Sequence, residues 1–143
     1  MSAVFFIFGA LPYALGYMQN QFMLNNADII MPYRLISIFF LLLWGLIAFL
    51  LNSSGRRTKE IVIFINLIAA VDLLHVGVQE LCIHSYWTNF IGLWSQLFYL
   101  PVINLSFRLT TWSRSVFTAY VLSFVLMAAA SFFGGKLREK IMR

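Results

Sequence analysis

The sequence predicts an all-α fold: a polytopic helical membrane protein with four transmembrane helices plus an outer interfacial or re-entrant amphipathic helix. Three observations carry this. First, 62% of the 143 residues are hydrophobic and 10% are charged, with a mean hydropathy of +0.86. A soluble domain carries about 25% charged and about 45–50% apolar residues, and a chain this short has too little interior to hide the surplus. Second, the apolar residues form continuous runs of membrane-spanning length, without the alternation of an outer-membrane barrel. Third, the basic residues gather outside those runs, with Arg56, Arg57 and Lys59 in one cluster and Lys136, Arg138, Lys140 and Arg143 in the other. Such clusters read as topology signals facing the cytoplasm and as contacts for anionic headgroups. The net charge of +5 is therefore not a nucleic-acid footprint.

Residues 1–143 read as a single integral membrane domain. The first span covers about residues 2–18 and carries Pro12 between Gly9 and Gly16, a kink that membrane helices tolerate. It has no basic n-region or cleavage site, so it is expected to be retained. The polar segment 19–28 follows as a loop. The second span covers about 33–51 and ends in a turn at Asn52–Gly55. The third covers about 61–82. The fourth covers about 115–133 and is stopped by Gly134, Gly135 and the basic tail.

Residues 87–107 are long enough to cross, but parity opposes it. Two spans, the third and the fourth, already separate the basic clusters, and another crossing would put the tail outside. Thr88, Asn89, Gly92, Ser95, Gln96 and Tyr99 form a polar stripe, opposed by Phe90, Ile91, Trp94 and Phe98. The expectation is an interfacial helix over about 87–100, ended or kinked by Pro101. A fifth span packed against protein is the alternative. Both termini are expected in the cytoplasm, with the chain integral to the plasma membrane.

The sharpest departure from a plain membrane protein is Asp72, near the middle of the third apolar run. A carboxylate at that depth needs a partner, a wet cavity or a proton. His75 and Gln79 follow on the same helix face, and the three form a candidate polar intramembrane site. It reads either as a proton relay or polar substrate site, or as interhelical glue. Asn66 lies on another face and reads as packing. Glu80 and His84, with Arg34, Arg108 and Arg114, are candidates for an outer vestibule; the plain reading of Glu80 and His84 is a helix pair at the membrane surface.

Ser115, Ala119, Ser123, Met127, Ser131 and Gly135 form an almost wholly small i+4 row, a helix-packing face that permits close backbone approach. An intrachain neighbour is the default, and a subunit contact is the sharper idea. Cys82 stands alone and reads as a small buried side chain. His75 and His84 are too far apart for a shared metal, and haem is disfavoured. No catalytic motif, cofactor or metal site is expected.

Two function classes fit. One is a non-enzymatic accessory, regulatory or immunity-type partner of another membrane protein. The other is a transport component moving a small solute, ion or proton through Asp72, His75 and Gln79. Lipid bilayer, a second copy of the chain or another membrane protein are the expected partners. The discriminator is whether Asp72 faces a wet cavity or is sealed between helices.

Overall fold

The computed structural model of the chain describes residues 2–52, 57–85 and 90–142. Residues 53–55 of the expected turn, Arg56 of the first basic cluster, residues 87–89 of the expected interfacial helix, and Arg143 lie outside them. Among the described residues the fold is helical throughout. Its elements are α1 (Ser2–Gly9), α2 (Leu11–Asn25), α3 (Tyr33–Leu51), α4 (Thr58–Ile65), α5 (Leu67–Gly77), a π-helical turn (Val78–Ile83), α6 (Phe90–Leu109) and α7 (Val116–Ile141).

Among the described residues, α3 and α7 are long and apolar enough to cross a membrane, and the bent pair α4–α5 makes a third if taken as one span. The surface of these helices is apolar. Leu42 and Leu46 on α3, Leu74 on α5 and Phe133 on α7 are exposed, while Asp72, Gln79, Ser106 and Ser123 are buried. That inversion leaves far more contiguous apolar surface than a soluble monomer shows.

The first apolar run breaks at Ala10. Pro12 falls in the first turn of α2, where its missing N–H costs nothing. The helix then continues through the polar residues expected to form a loop and reaches Asn25. The third run also breaks, at Asn66, and its halves are bent by 46°. Asn66 holds this bend. Its amide donates to the Val62 carbonyl (2.8 Å) and to the Ser131 hydroxyl (2.9 Å), and its oxygen accepts from the Trp44 indole (3.2 Å).

α7 passes through Gly134 and Gly135 instead of stopping there. Helix propensity disfavours glycine, but packing against α3 and α4 overrides it. Gly45 and Gly134 meet backbone to backbone: a Cβ on Gly134 would lie 1.9 Å from the Gly45 oxygen. Beyond the glycines, Asn52 donates to the Gly135 carbonyl (2.7 Å). The Thr58 amide (3.1 Å) and hydroxyl (2.5 Å) both donate to the Glu139 carboxylate. Glu139 thus caps the N-terminus of α4 from another helix, where negative charge is favoured.

The small-residue row of α7 faces this chain's own helices. Ala119, Ser123, Met127, Ser131 and Gly135 are buried. Ser123 donates to Ser106 of α6, and Ser131 meets Asn66. Ser115, at the N-cap position of α7, is exposed. The neighbour is therefore intrachain. Replacing Ala119 and Ser123 together by leucine is expected to abolish folded protein in size-exclusion chromatography, because added bulk has no room there. A folded double variant that loses only an oligomer would place a subunit on that face.

The expectation for residues 87–100 needs correction. α6 does not stop at Pro101 but continues to Leu109. Part of its polar stripe points inward: Ser95 and Tyr99 are buried, as is Phe98 of the opposing stripe, while Trp94 is 41% exposed. Hydrogen-bonding groups find partners inside a bundle whose exterior is apolar, so polarity marks the protein-facing side. Pro101 leaves the Leu97 carbonyl without its usual helical donor. Gly16 of α2 packs against that carbonyl so closely that a Cβ there would lie 1.8 Å from it.

Contacts also set the course of the chain. Along α3 and α7, Gly45 lies beside Ala130 and Asn52 beside Gly135, so the two run in the same direction. Against α7, α4–α5 runs the other way: Thr58 meets Glu139, Asn66 meets Ser131, and Glu80 meets Ser115. Since Ser115 bonds to Glu80, the start of α7 and the π-helical turn lie at the same end of the bundle.

Candidate functional site

The polar site is built where α5, α2 and α6 meet. α5 presents Asp72 and His75 a turn apart, and the π-helical turn adds Gln79. The wider winding of a π turn shifts the side-chain register and recurs at functional sites. Here it keeps Gln79 in line with His75 and wholly buried. His84 follows in the left-handed conformation, φ 55°, and ends the turn.

Asp72 is only 6% exposed. The Tyr13 hydroxyl of α2 donates to its Oδ2 at 2.5 Å. Ser95 of α6 lies close to the carboxylate and sits 2.5 Å from His75 Nδ1. His75 Nε2 is in turn 3.1 Å from Gln79 Nε2. The result is two neighbouring hydrogen-bonded groups, Tyr13 with Asp72 and Ser95 with His75 and Gln79. With the Gln79 amide donating, His75 Nε2 accepts and Nδ1 carries the proton, which it donates to Ser95.

Aromatic rings close the site. The Tyr13 ring packs against Trp94 (4.9 Å between centroids) and edge-on against Phe98 (4.8 Å). Tyr99 donates to the Ala69 carbonyl (2.5 Å), one turn below Asp72. The carboxylate is thus buried between helices and tied to Tyr13 of α2.

The structure brings Asp72, His75 and Gln79 together as the i, i+3, i+7 spacing predicts. Sequence reasoning missed Tyr13 and Ser95. Ser95 was visible as a polar residue but assigned to the surface, and Tyr13 gave only the signal of a tyrosine one residue after a proline. Asn66, assigned to packing, forms a separate buried polar cluster with Trp44 and Ser131.

The vestibule candidates are not gathered into one site. Glu80 accepts from Ser115, and His84 Nδ1 lies 3.0 Å from the Glu80 carbonyl oxygen. Arg34, Arg108 and Arg114 are exposed on separate elements. Among the described residues the ion pair is instead Lys136–Glu139, at the other end of the bundle. Cys82 is exposed, not buried as expected. No family model matches this chain, and neither a curated protein nor a solved structure matches it. No group of three or more potential metal ligands occurs among the described residues.

Proposed function

We propose that the chain is a polytopic membrane protein that acts as a non-enzymatic partner of another membrane protein, as an accessory, regulatory or immunity-type subunit. One observation carries the choice: the Asp72 carboxylate is buried and closed in by Tyr13, Ser95 and the rings of Trp94 and Phe98. A buried carboxylate tied to a neighbouring helix is what interhelical glue requires. A transport site needs access from at least one side. On this reading the two polar groups fix α2 and α6 against α5, and the apolar exterior meets lipid and the partner's helices.

In this reading α3, α4–α5 and α7 cross the bilayer, and α1–α2 form a further broken crossing. α6 is re-entrant, entering and leaving from the outer side. The basic end faces the cytoplasm, and the membrane is the plasma membrane. In a background with Cys82 replaced, a cysteine placed at Asn26 is expected to react with a membrane-impermeant reagent applied to cells. One placed at Lys140 is expected to react only after lysis. Reaction at both sites in intact cells would overturn this topology. The exposed position of Cys82 makes that background necessary.

The partner assignment is tested by affinity purification in mild detergent, with quantitative mass spectrometry against an unrelated tagged membrane protein. A stoichiometric membrane-protein partner, whose own loss reproduces the phenotype of losing this chain, is the expected result. A second reading, proton or cation transport, is favoured by the nearness of Asp72 to the Ser95–His75–Gln79 group, because carboxylate and imidazole exchange protons near neutral pH. A flux into proteoliposomes of the purified chain alone would establish it instead.

A further inference from the structure

One cavity lies away from the polar site, on the bundle's exterior. It is a groove of about 560 Å³ between α3 and α7, walled by Leu42, Leu46, Phe49, Phe133 and Leu137, with Gly45 and Gly134 at its floor. The two glycines let the backbones touch, and the side chains on either side stand above them. The groove follows both helices toward the basic end, where Phe49 and Leu137 are its last wall residues. There the Arg138 guanidinium stacks on the Phe49 ring, 5.0 Å from its centroid. Arg138 Nε is buried and makes no hydrogen bond. The neighbouring carboxylate does not serve it, because Glu139 is engaged by Thr58 and Lys136.

We propose that this groove holds one acyl chain of an anionic phospholipid, with the lipid phosphate bound by Arg138. The assignment rests on the membrane reading above and adds a specific ligand to it. An apolar trough beside a cationic head matches the two halves of a phospholipid. A guanidinium already oriented by an aromatic ring presents its remaining N–H groups to phosphate oxygens at low entropic cost. Lys136 and Lys140, on the same last turns of α7, add attraction for negative charge without fixing a position. A transmembrane segment of a partner fits less well, because the groove ends at a charge.

The test uses the full chain in phosphatidylcholine nanodiscs with graded phosphatidylglycerol, read by native mass spectrometry and thermal unfolding. One phosphatidylglycerol should be retained per chain and should raise the unfolding temperature saturably. Arg138→Gln should lower the preference over phosphatidylcholine by about tenfold or more, Arg138→Lys should keep part of it, and Lys140→Gln most of it. Leu42→Trp, at the exposed groove rim, should lower retention of both lipids. Inorganic phosphate should not compete.

Equal retention by the wild type and Arg138→Gln overturns the proposal. So does equal loss in Lys140→Gln, which would mark diffuse surface charge, or displacement by phosphate, which would mark a free-anion site. A chain that stays in the aqueous phase removes the membrane reading itself. A chain that inserts and folds but shows no lipid preference removes only the groove assignment.

Discussion

Gly134→Ala is expected to cost about 3 kcal/mol or more, at or beyond the upper end for overpacking, and to leave little folded protein in mild detergent. The added methyl would stand 1.9 Å from the Gly45 oxygen and 2.7 Å from its carbonyl carbon. Both atoms belong to the backbone of α3, so no side-chain rotation makes room and the two helices must separate. That separation loosens the most extensive helix contact in the fold and pulls Gly135 from Asn52. Gly45→Ala provides the internal control. Its methyl would face the Ala130 oxygen at 3.1 Å, which a shift of a few tenths of an ångström relieves, so about 1 kcal/mol or less is expected. Thermal unfolding of the two variants in one detergent measures the difference. Equal stability would mean that α3 and α7 do not meet at these glycines.

The second large effect is at Asp72. Asp72→Leu removes the acceptor of the Tyr13 hydroxyl and leaves it without that partner in a part-buried site. A buried group left without a partner costs about 1–3 kcal/mol, so a reduced yield of folded protein is the expected outcome. Asp72→Asn keeps an oxygen for Tyr13, and the partner reading expects a folded protein with normal phenotype. His75→Gln, which keeps hydrogen-bonding capacity beside Ser95, is expected to behave likewise. The decisive measurement pairs folded yield with cellular phenotype for all three variants. Folded but inactive Asp72→Asn and His75→Gln proteins, with loss of a pH-dependent flux in proteoliposomes, would move the function to transport. Tyr13→Phe distinguishes the arrangement further: it deletes only the hydroxyl on the carboxylate and should destabilise less than Asp72→Leu.

The polar interior explains why part of the site could be read in one dimension and part could not. Asp72, His75 and Gln79 lie on one helical stretch, and a periodicity near 3.6 residues places them on one face whatever the surroundings. The same arithmetic placed Ala119, Ser123, Met127 and Ser131 on one face of α7. Ser95 and Tyr99 were correctly seen as one stripe of α6 but assigned to the wrong environment. In a soluble protein the polar face of an amphipathic helix meets water. In this bundle it meets other helices, and the sequence of α6 is the same in either case.

Legible in the chain itself were the all-helical class, the apolar segments now seen as α3 and α7, and the face carrying Asp72. Each depends on composition or on contacts within a few residues, which covalent geometry and helical pitch already dictate. Tertiary structure decided the breaks at Ala10 and Asn66, the passage of α7 through Gly134 and Gly135, and the joining of Tyr13 to Asp72 and of Ser95 to His75. Those features join residues far apart in the chain. The 46° bend depends on Ser131 and Trp44 reaching Asn66, and helical continuity at two glycines depends on the close backbone of α3. Local propensity gives the opposite answer at the glycines, and contact energy between helices outweighs it.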